Sequence, residues 1–182
     1  RGTTIRKAID LSAIKAPEWI DQQFLTVNPY SRPGTKLAAV NSIVVHYIGN
    51  PGTTAQQNRD YFESLKNQSG SNTTSVSSNF IIGMDGEIIQ CIPVDEKSFA
   101  SNNRNSDTIS IECCHPGEDG EFTEETYESL VKLTAWLCKE LDLTTKDVIR
   151  HYDVTGKACP KNFSEDEGAW KQFKKDLKKA MR

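Results

Sequence analysis

Hydrophobic positions fall along this chain in short bursts whose spacing changes from one burst to the next. NSIVVHYI (41–48) is β-branched and apolar and stops at Gly-Asn-Pro-Gly, the signature of a buried strand feeding a loop. TTAQQNRDYFESLKN follows with apolar residues set wider apart, predicting a helix capped by a threonine and anchored by Tyr61, Phe62 and Leu65. Two apolar runs around Met-Asp-Gly in NFIIGMDGEIIQCIP predict a hairpin, with Asp-Gly supplying the positive φ of its turn. TISIECC alternates strictly, placing Thr108, Ser110 and Glu112 on one face of a strand and Ile109, Ile111 and Cys113 on the other. Residues 122–141 return to helical period behind an acidic first turn, and DVIRHYDV reads as a short last strand. The C-terminal WKQFKKDLKKAMR carries Trp170, Phe173, Leu177 and Met181 on one stripe with lysines opposite, a helix expected to dock on the domain rather than on lipid.

Strands interleaved with helices predict an α/β fold: one domain with a central mixed β-sheet flanked by helices. Residues 1–41 are irregular and rich in Pro, Ser and Gly, so residues 1–35 are expected to form an arm packed on a domain spanning 36–182. At 182 residues the chain can bury a core without covalent staples. No apolar run approaches the length that spans a bilayer, and the expectation is a polar, soluble globule without membrane partners. A net charge of −3 gives no overall positive field for nucleic acid. Five cysteines without regular spacing favour reduced thiols over a disulfide framework, and the start RGTTIRKAIDLSAIKA shows no apolar signal-peptide core.

One stretch resists a purely structural reading. RHYDVTGKACPKNF (150–163) places one of only three histidines eight residues before a Cys-Pro, in a segment too polar for core. If His151 and Cys159 bind a metal, a third ligand must stand at the mouth of a core strand, and His46 does. Two neutral imidazoles and one thiolate with an open fourth position are the ligand set of catalytic zinc. The alternative is a pair of satisfied polar histidines and a small buried cysteine. His115, in ECCHP, competes as a ligand, but neighbouring strand residues point to opposite faces, so Cys113 is expected in the core and His115 at the surface. Glu112, the one acidic residue in its strand, is the candidate proton carrier, the alternative being a solvated strand-face glutamate. Lys157 would lie near the ion and steady an oxyanion; taken alone it is a loop lysine.

Four motifs in order, IVVHYIGNPGTT, SSNFIIGMDGEIIQCIP, TISIECCHP and RHYDVTGKACPKNF, resemble those of the zinc-dependent N-acetylmuramoyl-L-alanine amidase family, type 2, over roughly residues 36–175. The family includes phage endolysins and bacterial autolysins and is related to peptidoglycan recognition proteins. The resemblance implies a mixed sheet with a zinc groove at the strand ends. It places the Zn2+ ligands on His46, His151 and Cys159, the acid/base glutamate on Glu112 and the active-site lysine on Lys157. It further implies hydrolysis of the amide joining N-acetylmuramic acid to L-alanine of peptidoglycan, at the bacterial cell wall, with loops such as GNPGTT and SFASNNRNSD along the groove. A noncatalytic peptidoglycan-binding module of the same fold and a zinc peptidase of the stem peptide are the competing functions. In one respect the chain departs from some relatives: Ser78-Asn79-Phe80 stands where they carry a Tyr-His pair, so no tyrosine role transfers and Glu112 carries more of the proton transfer.

Overall fold

The structure, a computed structural model, describes residues 8–182. Among them, β1 (Asp21–Gln22), β2 (Ser42–Tyr47), β3 (Phe80–Ile82), β4 (Ile88–Gln90), β5 (Thr108–Cys113) and β6 (Val148–Arg150) form one sheet. Its order is β1-β4-β3-β5-β2-β6. The strands β2, β3, β5 and β6 run parallel, β4 is antiparallel to β3, and β1 is parallel to β4. The helices are α1 (Ala55–Ser64), α2 (Glu124–Leu141), α3 (His151–Thr155), α4 (Lys161–Ser164) and α5 (Glu167–Ala180). This is the expected α/β architecture with a mixed sheet.

Both faces of the sheet centre are covered, which is why β2 reads as a nearly continuous apolar run, while β5 is buried throughout although its Thr108, Ser110 and Glu112 face is polar. On one face Ile43, Val45, Ile109, Ile111 and Cys113 pack in a large cluster with Leu130, Leu133 and Leu137 of α2 and Phe173 and Leu177 of α5. On the other, Phe62 of α1 packs in a smaller cluster with Ile81, Ile89 and Cys114. Strand alternation puts His46 and Glu112 on the face opposite Val45, Ile111 and Cys113. They stand at the carboxyl ends of parallel strands, where open α/β sheets present ligand sites.

Local chemistry sets the helix boundaries. Thr54 opens α1 with a capping box: its hydroxyl accepts from the Gln57 N–H (3.0 Å) while Gln57 Oε1 accepts from the Thr54 N–H (2.9 Å). Thr123 caps α2 ahead of Glu124 and Glu125. The docked C-terminal helix is present as α5, with Trp170, Phe173 and Leu177 buried and Met181 half-buried. All five cysteines are buried free thiols.

Two expectations are corrected. Tyr61 is no core anchor: it is 49% exposed, because the inward stripe of α1 runs through Ala55, Asn58 and Phe62 toward Leu65 and turns its neighbour outward. The last strand stops at Arg150, where the Asp153 carboxylate accepts from the Arg150 N–H (2.9 Å) and turns the chain into α3 at His151.

The segment before residue 36 contributes β1 and the buried Ile20 and Leu25, and it continues along β4 through Gln23 N–H to Gln90 O and Leu25 N–H to Cys91 O. It covers what would otherwise be an unpaired sheet edge. Among the described residues, no helix is long and apolar enough to cross a membrane.

Candidate metal centre

His46 comes to the site on β2, a strand paired on both sides by β5 and β6. Its Nε2 is 3.1 Å from the Ser101 hydroxyl, and its Nδ1 lies 3.7 Å from Cys159 Sγ and 3.8 Å from Glu112 Oε2. His151 is positioned by its neighbour. The buried Arg150 guanidinium pairs with Asp153 (2.9 Å) and Glu167 (2.6 Å) and donates to the Phe163 carbonyl (2.9 Å), fastening β6 to α3, α4 and α5. The chain leaves α3 through Gly156 at φ +82°, a left-handed turn that glycine adopts without strain. It then doubles back so that the Tyr152 N–H donates to the Cys159 carbonyl (2.9 Å), which sets the thiol beside the two imidazoles.

The ligand atoms of His46, His151 and Cys159 lie within 4.8 Å of one another, and all three residues are buried. The imidazole rings are 4.7 Å apart between centroids. His151 Nε2 is 2.8 Å from Asn102 Oδ1, an acceptor, so that nitrogen carries the proton and Nδ1 is left with its lone pair. A hydrogen bond that engages one ring nitrogen and leaves the other free is how metal-ligating imidazoles are held. Burial, reinforced by His151 and Lys157, holds His46 well below its ordinary pKa. Burial and Lys157 also lower His151. Both rings are therefore neutral, the form that can ligate. Burial pushes the Cys159 thiol up to about 12, with Glu112 adding to the rise. The three donors together are compatible with a metal site.

Glu112 adjoins this cluster. Its register partner across the sheet is His46, and it is only 8% exposed, which excludes the solvated-glutamate alternative. Burial raises its carboxyl to about 8, against an opposing pull from Lys157. Lys157 itself is exposed on the loop between α3 and Cys159, close enough for its charge to bear on His46, His151 and Glu112. Beside Glu112 opens a recess of about 390 Å³, lined on one side by α1 and including Asn50 and Thr53 of the GNPGTT loop. The SFASNNRNSD loop contributes Ser101 and Asn102 to the histidines rather than to this recess.

His115 corrects an expectation. It is 1% exposed, not a surface residue, because its ring bridges two loops: the Gly49 N–H donates to Nε2 (3.0 Å), Nδ1 donates to the Gly117 carbonyl (2.8 Å), and the ring stacks on Tyr47 (4.9 Å). With both nitrogens engaged it is not available as a ligand. Ser101, Asn102 and Tyr61 were not legible as site residues. The one signal for Asn102 is its residue type, since it sits at φ +55° and asparagine tolerates the left-handed region better than most. Ser78 and Asn79 are fully buried, and Asn79 is spent on structure, accepting from the Ser110 N–H (3.1 Å) and donating to the Pro93 and Glu96 carbonyls.

Residues 36–162 match the family described as N-acetylmuramoyl-L-alanine amidase. The chain belongs to this amidase family. Among amidase relatives, the N-acetylmuramoyl-L-alanine amidase CwlL of Bacillus licheniformis is 35% identical over 172 residues, covering 86% of this chain and 46% of that protein. The N-acetylmuramoyl-L-alanine amidase BlyA of Bacillus subtilis is 31% identical over 179 residues, covering 87% and 46% respectively. The chain thus spans about half the length of these relatives. A mutant endolysin from Bacillus subtilis of known structure aligns with a TM-score of 0.72 at 26% identity, covering 87% of this chain and 97% of that one.

Proposed function

We propose that the chain is a zinc-dependent amidase unit that hydrolyses the bond between N-acetylmuramic acid and L-alanine in peptidoglycan, acting at the bacterial cell wall as a phage lysin or an autolysin. Residues 36–182 would carry the chemistry, with residues 1–35 as a packed arm. The observation that carries the reading is the convergence of His46, His151 and Cys159 within 4.8 Å, on three separate elements, beside a buried glutamate. Two neutral imidazoles and a cysteine sulfur that would give up its proton on binding fit zinc by donor type and number, and leave a coordination position open. When bound there, the ion supplies Lewis acidity toward a carbonyl and lowers the pKa of water.

The chain's own residues divide the remaining work. Glu112 takes a proton from the attacking water and returns it to the departing alanine nitrogen. A carboxyl whose burial brings its pKa near the working pH is suited to both transfers. Ser78 and Asn79, fully buried and without an ionisable group, offer no competing acid where some relatives carry the Tyr-His pair. Lys157, exposed at the rim with its charge reaching Glu112, steadies the negative oxygen of the tetrahedral intermediate. Ser101 and Asn102 hold the imidazoles in orientation.

The experiment is digestion of purified peptidoglycan with and without a chelator, with zinc quantified on the same protein by mass spectrometry. The expected products are free alanine amines and intact glycan, lost on chelation and restored by zinc. New amines within the stem peptide would replace this reading by a peptidase, and binding without cleavage by a noncatalytic module.

A further inference from the structure

A second recess lies across the sheet from the metal centre. α2 covers the face that holds Val45, Ile111 and Cys113, whereas His46 and Glu112 stand on the opposite one. On the outer surface of α2, Glu128, Lys132, Trp136 and Lys139 follow at intervals of three and four residues, so they form one stripe about 16 Å long. With Trp19 from the segment before the domain core and Ala180 at the end of α5, they line a recess of about 350 Å³. Trp19 and Trp136 meet edge to face, with centroids 6.2 Å apart and planes at 80°, so the two rings form a corner. The Lys132 ammonium lies over the Trp19 ring at 4.4 Å. Among the described residues, neither indole N–H meets an acceptor, and Glu128, Lys132 and Lys139 are in no ion pair. Charge is graded along the stripe. Asp85 and Glu125 adjoin Glu128, whereas Lys139 stands at the other end, and the last turn of α5 carries Lys178 and Lys179.

Two indole planes at a steep angle fit a non-planar ring with C–H bonds on several sides, while a flat base would stack on one wall only. Neither tryptophan is among the strongly exposed large apolar side chains, so the pair does not project as a membrane anchor would. The unpaired ammonium groups of Lys132 and Lys139 call for an anion beside that corner. A saccharide bearing carboxylates supplies both halves: ring C–H faces against the indoles, hydroxyls for the indole N–H groups, and carboxylates for the lysines. The amidase reaction makes such a saccharide. Hydrolysis breaks the C–N bond of the lactyl amide, the oxygen of water stays on the carbonyl carbon, alanine leaves with its amine, and the muramic residue keeps a free carboxylate. In an uncut strand the same carbonyl is an uncharged amide with a stem peptide attached. We infer that the recess between Trp19 and Trp136 is a second carbohydrate site, which holds glycan strands stripped of their stem peptides. The inference rests on the amidase reading for the origin of its ligand. It gives the chain a hold on the polymer that leaves the metal centre free for the next stem.

The test is titration calorimetry of the zinc-loaded chain with three probes. One is stem-free glycan, alternating N-acetylglucosamine and N-acetylmuramic acid with free lactyl carboxyls, prepared with an unrelated amidase. The others are a chitin oligomer of the same length, which has the sugars without the charge, and polyglutamate, which has the charge without the sugars. Stem-free glycan should bind about tenfold more tightly than either. Lys139→Glu, at an exposed position, should weaken that binding by about fivefold or more, with the melting temperature and the kcat/KM for a short soluble muropeptide unchanged. The difference should shrink at high salt. Trp136→Ala should remove most of the binding, and Glu112→Gln, at the metal centre, should leave it intact. Equal affinity for the chitin oligomer or for polyglutamate, or glycan binding that Lys139→Glu and Trp136→Ala leave unaltered, would overturn the inference. Failure of the parent chain to cleave the muropeptide, with these binding results intact, would instead remove the amidase reading and leave the second site standing.

Discussion

Glu112 is where residue chemistry and function meet most directly. Replacing it by Gln keeps the shape and removes the proton carrier, so turnover should fall by about 10²–10⁴-fold while bound zinc, measured by mass spectrometry, stays stoichiometric. Full lytic activity in that variant would refute the assignment. Asn102→Ala should act differently: with the acceptor for His151 Nε2 gone, the ring loses its fixed orientation, and zinc affinity should drop by about 10–100-fold in a competition titration. His46 and Glu112 stand out in the sequence because each interrupts a regular pattern, a polar side chain at the end of a buried strand or on an alternating face, whereas His151 stands out by its spacing from Cys159. Their supports do not. Ser101 and Asn102 lie in a polar loop whose composition says only that it is a loop, and what matters there is a long-range contact between segments about 50 residues apart. His115 was misplaced for a related reason: strand alternation governs residues up to Cys113, but the ring's partners sit on loops beyond the strand's reach.

At the scale of elements, sequence period located α1, α2, α5 and the central strands, since each helix buries one face at a single repeat and β2 and β5 are buried on both. Tyr61 shows where that reading fails: the inward stripe of α1 passes through Phe62, and its neighbour, about 100° round the helix, faces out. Phe173 tests the packing of α5. It is fully buried among Phe163, Trp170 and Tyr127, so Phe173→Ala should cost about 3–5 kcal/mol in chemical denaturation. Glu63 ties α1 to the segment before the domain core. Its carboxylate accepts from the Thr26 N–H (2.9 Å) and hydroxyl (2.7 Å) and pairs with Lys66. Burial alone would raise it, but these partners bring it from 4.5 to about 2. Because the folded pKa is the lower one, the carboxylate stabilises the fold above about pH 4.5, and that contribution fades as pH falls toward 2. Glu63→Gln should therefore be less stable than the parent at neutral pH and show a flatter stability profile through that acid window, as followed by urea midpoints.

For the whole molecule, an ion held by the proposed ligands would be linked to the fold. The ligands come from β2, from the start of α3 and from the loop after it, so an ion that binds only the folded arrangement stabilises all of them together. With zinc at a hundredfold excess over its dissociation constant the gain is about 2.7 kcal/mol, and chelation should lower the melting temperature accordingly. An unchanged melting temperature would mean that the three donors hold no ion. The register of the sheet adds a different kind of constraint. His46 and Glu112 are direct partners on parallel neighbours, and side chains alternate faces with every residue. Inserting or deleting a single codon within β2 or β5 would therefore leave the hydrophobic content almost intact yet turn one of the two to the far side of the sheet. Descendants of this gene can trade residues along those strands, but not their length.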